Sequence, residues 1–294
     1  MNRKILLSNI NSPKLTSAER GGDPETLSVD LINLETISTT RAIKYPRASS
    51  IYDSCVRMHA LGTLHGIEKT ERVHLSRRLT FDIGSALHKW VQNEHTYLGD
   101  QRRGIWECQG CKYKTFFGKP PRQKCPVCSA SMDAFLYREI DLELGKPFCI
   151  TGHPDMFLEP KNNPGVIRLV EFKTINGDKF STLKAPLINH VWQLQAYMWL
   201  IQENDQLIPA TIDGQYGYIM YFSKKETYGE LPIKTFLVKR DRAIIQKIKD
   251  KLRLYTKAIE GGALPPVLEK CKKSDWTDYI AKNCPCKELC RKGA

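Results

Sequence analysis

The stretch that decides the fold is "CITGHPDMFLEP", residues 149–160, followed closely by "VIRLVEFKT", residues 166–174. Both runs contain apolar, strand-forming residues, and the segment between them holds glycine and proline, which predicts a hairpin of two strands. A hairpin that turns between Leu158 and Val166 would bring Asp155 beside Glu171. Side chains alternate between the two faces of a strand, so Glu171 and Lys173 should point the same way.

Two carboxylates and a lysine at one place predict a site for a divalent cation. Carboxylate oxygens bind Mg²⁺, a metal-bound water is a candidate nucleophile, and a lysine can orient that water or stabilise charge on a phosphate. An isolated Glu-x-Lys pair is also typical of a surface salt bridge, and Asp155 alone is typical of a loop. Pro154 has no backbone N–H, so we expect an edge strand or a kink there.

Two predicted helices carry further polar candidates. Gln193 and Tyr197 are four residues apart in "INHVWQLQAYMWLIQEN" and project from one helix face. They could touch a phosphate or support the lysine, or they could be a polar pair packed against the sheet. His88 lies in an amphipathic helix predicted over residues 81–98, where a lone histidine is either structural or a ligand.

Strands flanked by helices predict a mixed α/β core. Strand-like runs cover residues 135–144, 148–158, 166–174, 214–223 and 233–240, and helices are predicted over 51–64, starting near Ser49 or Ser50, and over 188–204 and 241–262. We expect five segments: a polar N-terminal extension (1–46), an N-terminal helical part (47–104), a zinc-ribbon insertion (105–133), the core (134–262) and a cysteine-containing C-terminal segment (263–294).

The charge of the chain favours a polyanionic partner. A formal net charge of +13 over 294 residues suits nucleic acid, although a generally basic soluble protein has the same composition. No apolar run is long enough to cross a membrane, and the N-terminal apolar segment is too short for a secretory signal. We therefore expect a cytoplasmic protein with no membrane partner, in the host cytoplasm if it is viral.

The first group of cysteines predicts a zinc ribbon. In a reducing cytosol, clustered cysteines more often hold metal than form disulfides. Cys108-x₂-Cys111 and Cys125-x₂-Cys128 offer four thiolates for one tetrahedral Zn²⁺. The segment between them, "KYKTFFGKPPRQK", is basic and aromatic and needs the metal in order to fold. The role of the ribbon is either structural alone or contact with DNA, through side chains that include Lys112 and Lys114.

The second group lies in the C-terminal segment and consists of Cys271, Cys284, Cys286 and Cys290. These four thiolates could bind a zinc ion by themselves.

Four short motifs, taken in order, resemble those of RecB-type PD-(D/E)XK nucleases: Gly84-x-x-x-His88, Gly152-x-x-Asp155, Glu171-x-Lys173 and Gln193-x-x-x-Tyr197. The likeness runs from about residue 47 to the C-terminus, with one insertion. It implies a restriction-endonuclease-like core with a mixed central sheet flanked by helices. It also implies that His88, Asp155 and Glu171 bind Mg²⁺ or Mn²⁺. Lys173 would be the catalytic lysine, and Gln193 and Tyr197 would support the site and contact DNA. The sequence departs from the family at Pro154, where an apolar residue is usual.

The stretch "RASSIYDSCVR", residues 47–57, is similar to the N-terminal element of the iron–sulfur subgroup of this family, which includes CRISPR-adaptation nucleases and phage exonucleases. The resemblance implies a [4Fe–4S] cluster that staples the two ends of the chain. Its implied ligands are Cys55, Cys271, Cys284 and Cys290, with Cys286 as an alternate because the gap after Cys271 is wider than in many members. Arg57, in the same element, is expected to contact DNA.

The first hypothesis is therefore a Mg²⁺- or Mn²⁺-dependent DNA exonuclease acting on single-stranded ends. We expect a role in recombination, repair or replication, with a phage as one context and a helicase or recombination protein as a further partner. One alternative is an endonuclease on the same core. Another is a non-catalytic nucleic-acid-binding protein that uses the zinc ribbon. The intact set of Asp155, Glu171 and Lys173 argues against a non-catalytic protein.

Overall fold

The two runs around Asp155 take part in a central five-stranded sheet in the computed structural model of the chain. The structure describes residues 37–73, 75–93, 98–204, 212–225, 232–277 and 279–293. The strands are β1 (Ile37–Ala42), β2 (Glu68–Val73), β3 (Arg102–Arg103), β4 (Ile105–Cys108), β5 (Phe135–Arg138), β6 (Leu142–Leu144), β7 (Ile150–Gly152), β8 (Met156–Leu158), β9 (Ile167–Ile175), β10 (Ile212–Ser223) and β11 (Ile233–Lys239).

Helices pack around these strands. They are α1 (Val56–Leu64), α2 (Leu75–Asn93), α3 (Gly177–Thr182), α4 (Ile188–Glu203), α5 (Arg242–Ile259), α6 (Glu269–Lys273), α7 (Tyr279–Lys282) and α8 (Lys287–Lys292). Short 3₁₀ turns cover Ala48–Ser50, Gly99–Gln101 and Met132–Ala134. No helix among the described residues has both the length and the apolar composition that a membrane span needs.

The central sheet is mixed, as the predicted α/β class requires. Its strand order is β11-β10-β9-β8-β3. Strands β9 and β10 are parallel, and the other neighbouring pairs are antiparallel. The connection from β9 to β10 carries α3 and α4, because parallel neighbours need a long crossover.

The predicted hairpin is confirmed, and its register brings the two carboxylates together. Met156 on β8 lies opposite Val170 on β9, and the chain continues this register to place Asp155 next to Glu171. The run around Pro154 is broken, as expected for a proline. Strand β7 ends at Gly152 and pairs with β6, whereas β8 joins the central sheet.

The alternation of β9 divides the core into two layers. Leu169 belongs to the larger apolar cluster, which includes the buried face of α4. Val170 and Phe172 belong to a second cluster, which includes Val91 of α2. The sheet is therefore covered on both faces, by α4 on one side and α2 on the other.

Two predicted helix starts were wrong. Helix α1 begins at Val56, not near Ser49 or Ser50, because those serines lie in a 3₁₀ turn and Cys55 is the N-cap, with its Sγ accepting from the Met58 N–H at 3.4 Å. Helix α2 begins at Leu75 rather than at residue 81 and ends at Asn93. The remainder of the predicted helix, through residue 97, lies outside the described residues.

The predicted polar extension contains a strand. Residues 1–36 of that segment lie outside the described residues, but β1 pairs with β2 in a separate antiparallel two-stranded sheet. Polar cross-strand pairs accompany it, with Thr40 and Thr70 hydroxyls 3.0 Å apart and Arg41 3.3 Å from Glu71. Apolar residues do not alternate with polar ones in β1 and β2, so periodicity did not predict these strands.

Candidate active site

Glu171 is the centre of a buried polar network at the carboxylate pair. Lys173 Nζ donates to Glu171 Oε1 at 2.6 Å, and Gln193 Nε2 donates to the same oxygen at 2.6 Å. Gln193 also donates to the Tyr197 hydroxyl at 3.0 Å. The structure thus brings the Glu171-x-Lys173 and Gln193-x-x-x-Tyr197 motifs into direct contact.

Asp155 is held by the neighbouring strand and faces a histidine. Its Oδ2 accepts from the Phe172 backbone N–H at 2.7 Å, which fixes the carboxylate beside β9. Its Oδ1 lies 3.3 Å from His88 Nδ1. The His88 ring stands edge-on to Phe172, with the ring centroids 5.9 Å apart. All six residues predicted for the active site are therefore adjacent members of one network.

The donor set fits a hard divalent cation. Among the described residues, Glu171 Oε2 is one of two buried side-chain polar atoms without a hydrogen-bond partner, the other being Arg240 Nε. A buried carboxylate oxygen without a partner is costly, and coordination of a cation would satisfy it. Asp155 and His88 offer an oxygen and a nitrogen, which are ligand types that Mg²⁺ and Mn²⁺ accept, although the ligand atoms of all three residues do not lie within 4.8 Å of one another.

Burial and mutual charge shift the titration of these groups. Burial, with the nearby charge of Asp155, raises the pKa of Glu171 to about 8. Burial alone would lower the pKa of His88, but its hydrogen bond to Asp155 and the charge of that carboxylate outweigh burial and raise it. Burial likewise opposes the charged form of Lys173, whose pKa is nevertheless raised by Glu171 and Asp155.

Solvent reaches the network from one side. The side chains of His88 and Lys173 are 27% and 21% exposed, whereas that of Glu171 is 1% exposed. A substrate can therefore approach the histidine and the lysine, with the carboxylates behind them.

Gln193 and Tyr197 lie behind Glu171, away from solvent. Their relative exposures are 5% and 3%. Support of the site is consistent with this placement, but the predicted DNA contact of either residue is not, because the helix and the sheet enclose both side chains.

Gln92 and Glu139 join the network and were missed by the motif series. Gln92 Nε2 donates to the backbone oxygen of Asp155 at 2.8 Å and to Glu139 Oε1 at 2.9 Å. The spacing of Gln92, four residues after His88, places both on one face of α2 and could have indicated it. Glu139 had no comparable signal, since only the fold brings it near.

His190 is a second missed neighbour, one turn before Gln193 on α4. Tyr221 Oη accepts from the Leu187 N–H at 2.9 Å and lies 2.8 Å from His190 Nδ1. Burial, with the charge of Lys173, lowers the pKa of His190 to about 4, so the imidazole is neutral at pH 7. If the tyrosine hydroxyl donates to Nδ1, the ring proton is on Nε2.

The four ribbon cysteines converge on one point. Their sulfur atoms all lie within 4.8 Å of one another, with Cys108 and Cys128 3.7 Å apart and Cys111 and Cys125 3.6 Å apart. Four sulfurs at about 2.3 Å from one tetrahedral ion would be about 3.8 Å apart. A single ion therefore fits this group.

Both Cys-x₂-Cys turns have the same backbone geometry. The residue after each turn, Lys112 or Ser129, has a left-handed φ of 64° or 58°. Their N–H groups donate to the carbonyls of Cys108 and Cys125 at 2.8 and 2.9 Å. Two matching turns, each presenting two sulfurs, are the arrangement expected of a ribbon metal site.

The C-terminal cysteines surround a cavity of about 30 Å³. One water molecule needs roughly 10–15 Å³ measured in this way, so the space exceeds a single water. The sulfur-bearing residues that line it are Cys55, Cys271, Cys284, Cys286 and Cys290. The predicted meeting of Cys55 with the C-terminal group therefore occurs.

The spacing in this cavity differs from that in the ribbon. Within the described part of the chain, the ribbon cysteines form the only group of three or more candidate ligand residues whose ligand atoms all lie within 4.8 Å of one another. A polynuclear cluster spaces its thiolates more widely, because each binds a different iron. A hydrogen bond between Cys284 and Cys286 lowers the pKa of Cys284 to about 6 and raises that of Cys286.

Arg57 is buried inside the protein, contrary to the prediction that it contacts DNA. It is 5% exposed, and its guanidinium donates to the Pro265 carbonyl at 2.8 Å and the Gly293 carbonyl at 2.7 Å. Its Nε also donates to Cys290 Sγ at 3.2 Å. Arg57 therefore binds the C-terminal segment to α1. By contrast, Lys112 and Lys114 are exposed on the ribbon, where contact with DNA stays a prediction.

A comparison with protein-family models identifies the family. The family model described as the PD-(D/E)XK nuclease superfamily matches residues 46–291. Among solved structures, LHK-Exo, an alkaline exonuclease from Laribacter hongkongensis, is similar at 11% identity and a TM-score of 0.40, over 75% of this chain and 90% of that one. Its complex with dAMP is similar at 10% identity and a TM-score of 0.41, over 75% and 89%. No curated protein sequence matches the chain.

Proposed function

The chain belongs to the PD-(D/E)XK nuclease superfamily, and on that premise we propose that it is a divalent-metal-dependent DNA exonuclease that hydrolyses phosphodiester bonds at single-stranded ends. One observation carries the proposal. Asp155, Glu171 and Lys173 meet in one network, and Glu171 keeps a buried carboxylate oxygen without a hydrogen bond. A merely structural ion pair would have no use for that free oxygen.

Each residue of the network has a distinct proposed role. His88, Asp155 and Glu171 would hold Mg²⁺ or Mn²⁺, which when bound supplies electrophilic stabilisation of the phosphate and a more acidic water. Lys173 is partly exposed beside Glu171, where its ammonium group can stabilise negative charge on a phosphate oxygen. Gln193, supported by Tyr197, holds Glu171 in place through its amide.

The proposal of DNA as substrate is supported by the family and by charge. A net charge of +13 attracts a polyanion, and the exposed lysines of the ribbon add to it locally. The proposal extends to a preference for single-stranded ends and to a role in DNA recombination, repair or replication, such as a phage requires. A helicase or recombination protein would then act on the same DNA.

Two further metals belong to the proposal. The ribbon would hold a structural Zn²⁺, since four sulfurs at the observed separations suit one tetrahedral ion. The C-terminal cavity would hold a [4Fe–4S] cluster through Cys55, Cys271, Cys284 and Cys290. Cys286 would remain a thiol, in keeping with its raised pKa and its Sγ 3.5 Å from the Met58 carbonyl oxygen.

The nuclease test compares one lysine with another. Protein purified without oxygen is given end-labelled single-stranded DNA with Mg²⁺, with Mn²⁺ or with EDTA. We expect cleavage only with the divalent ion, and a loss of at least about 100-fold for Lys173→Ala. Lys247→Ala, at an exposed position on α5, serves as the control and should retain activity. Equal activity of both variants would refute the assigned role of Lys173.

Circular single-stranded DNA separates the exonuclease from the endonuclease. An exonuclease degrades the linear strand and leaves the circle intact, whereas cleavage of the circle would favour the endonuclease alternative. If no substrate is cut but DNA is still bound, the non-catalytic reading would replace both.

Elemental analysis and absorption spectra test the metals. We expect close to one zinc per chain, together with iron, inorganic sulfide and a visible absorbance that fades on reduction. Cys290→Ser should lose the iron and retain the zinc, and Cys125→Ser should do the reverse. A colourless protein with two zinc ions would contradict the iron–sulfur assignment.

A further inference from the structure

One segment of the ribbon is held extended beside β4. The Thr115 N–H donates to the Trp106 carbonyl at 3.0 Å, and the Cys108 N–H donates to the Tyr113 carbonyl at 2.8 Å. Gly104 and Gly118 exchange both of their backbone hydrogen bonds at 2.9 Å. Backbone hydrogen bonds at Tyr113, Thr115 and Gly118 therefore hold residues 113–118 beside β4.

Side chains alternate along this segment as they do on a strand. Tyr113 packs with the second apolar cluster, and Phe117 packs edge-on against Phe157 with the ring centroids 5.3 Å apart. The intervening residues Lys114 and Phe116 are exposed, Phe116 to 96%, and Lys112 in the turn before them is also exposed. We call these three side chains the ribbon stripe.

The exposed ring of Phe116 leaves a large apolar surface free to contact a ligand. Burial of a phenylalanine side chain contributes about 1.5–3 kcal/mol, and Phe116 forgoes nearly all of it although Phe117 beside it is packed. The adjacent backbone is hydrogen-bonded, so the ring is presented on a fixed support. A rigid, exposed aromatic ring next to cations is the combination that proteins use to stack nucleic-acid bases.

The charges of the stripe suit a phosphate backbone. Within the described part of the chain, Lys114 takes part in no side-chain ion pair, whereas Lys112 Nζ lies 3.4 Å from Glu107 Oε1 and 3.2 Å from Gln109 Oε1. Lys114 is thus the freer cation. Alternate residues on an extended segment are about 6.6 Å apart, so a lysine and the ring can reach successive units of one DNA strand.

The stripe also adjoins the catalytic strand. Phe157, on which Phe117 packs, is two residues after Asp155, or about 6.6 Å along the chain. The ribbon is therefore anchored next to the carboxylate site rather than at a remote edge.

We propose that the ribbon stripe is a binding site for single-stranded DNA, in which Phe116 stacks on an unpaired base and Lys114 contacts a neighbouring phosphate. The inference deepens the proposed function, because it assigns the side chains that select a single strand. A duplex offers its base faces to such a ring only at its ends, whereas every base of a single strand is accessible.

The test measures binding without cleavage. Fluorescence anisotropy without added Mg²⁺ or Mn²⁺ follows a labelled 12-nucleotide single strand and a capped hairpin duplex of equal length, and each variant is first shown to retain its zinc and its melting temperature. We expect Phe116→Ala to weaken single-strand binding roughly tenfold and Phe116→Trp to restore it, with duplex binding unchanged within about twofold. Lys114→Ala should reduce the salt dependence of single-strand binding by about 0.7 in the log–log slope.

Tyr279→Ala is the matched control, since Tyr279 is 73% exposed on α7, outside the ribbon. Unchanged single-strand binding by Phe116→Ala would overturn the proposal, as would an equal loss on the capped duplex or an equal loss for Tyr279→Ala. The result is independent of the proposed catalysis. If the protein binds single-stranded DNA through Phe116 but never cleaves it, the exonuclease proposal is wrong and the proposed binding site is still supported.

Discussion

Gly152 has no room for a side chain, and its replacement by alanine tests how the active site is supported. A Cβ at this position would lie 2.5 Å from Tyr197 Cε1, 2.9 Å from Tyr197 Cδ1 and 3.0 Å from Ala48 Cβ. Carbon atoms do not approach to 2.5 Å, so the ring or the strand must move. Tyr197 is buried and cannot swing into solvent.

The displacement would travel through hydrogen bonds to the catalytic carboxylate. Tyr197 bonds Gln193, and Gln193 bonds Glu171. Overpacking of this kind costs about 2–3 kcal/mol, which lowers the melting temperature by roughly 3 to 5 °C in a chain of this size. Misplacement of Glu171 by a fraction of an ångström should also lower the cleavage rate, on the order of 100-fold.

The assay pairs Gly152→Ala with Gly145→Ala in the same β-hairpin region, where a Cβ meets nothing within 4 Å. Thermal unfolding and single-turnover cleavage are measured for both, and only Gly152→Ala should lose stability and rate. In a Tyr197→Leu background the added alanine should cost at least about 1 kcal/mol less, because the clashing ring is gone. Equal effects of the two alanines, or no relief in that background, would refute the reasoning.

Three further outcomes are expected. Arg57→Ala should destabilise the protein by about 3 kcal/mol in denaturant unfolding, because two carbonyls and a cysteine lose a buried donor. Arg253→Ala removes an exposed ion pair and should cost under about 1 kcal/mol. The pKa of His190 is lowered to about 4 from an ordinary 6.5, so the unfolded chain takes up the proton first as the pH falls. The free energy of unfolding should therefore decrease between pH 6.5 and pH 4, by about 2 kcal/mol after allowance for solvent. His190→Asn should flatten that part of a pH–melting curve; an unchanged slope would count against the assignment. Cys111→Ser should release the ribbon metal and raise protease cleavage within residues 109–124, and a variant as resistant as wild type would contradict a metal-dependent ribbon.

The strand pair around Asp155 could be predicted because its signals are local. Proline disfavours a regular ladder, and a hairpin turn sets the register, so the break at Pro154 and the position of Asp155 beside Glu171 were both predicted. The long helices α4 and α5 could be predicted as well. Helix α4 is a long apolar run without glycine or proline, and in α5 the apolar residues recur at the helical period behind the cap Asp241.

The start of α1 could not be predicted from capping preferences. Ser49 and Ser50 are strong caps by residue type, but Cys55 takes that role because its position is fixed by the cysteine cavity. The predicted DNA contact of Arg57 was wrong for a related reason. A positive charge in a basic chain suggests DNA, and only the three-dimensional fold reveals that the C-terminal carbonyls surround it.

Glu139 and His190 are neighbours of the site that could not be predicted from the sequence. Both lie next to motif residues in space but belong to other segments, and no fixed spacing connects them to the motifs. Motif spacing identifies residues that share a strand or a helix with a catalytic group. Neighbours that arrive from another strand or turn become visible only once the sheet is assembled.

The contacts of Arg57 also bear on when the protein can fold during synthesis. Helix α1 emerges from the ribosome early, yet the acceptors of its arginine belong to Pro265, Cys290 and Gly293. Until residue 293 has left the exit tunnel, that guanidinium has none of these partners and cannot be buried without penalty. The cysteine cavity should therefore stay open until translation has passed residue 293, well after all six residues of the active site have been synthesised.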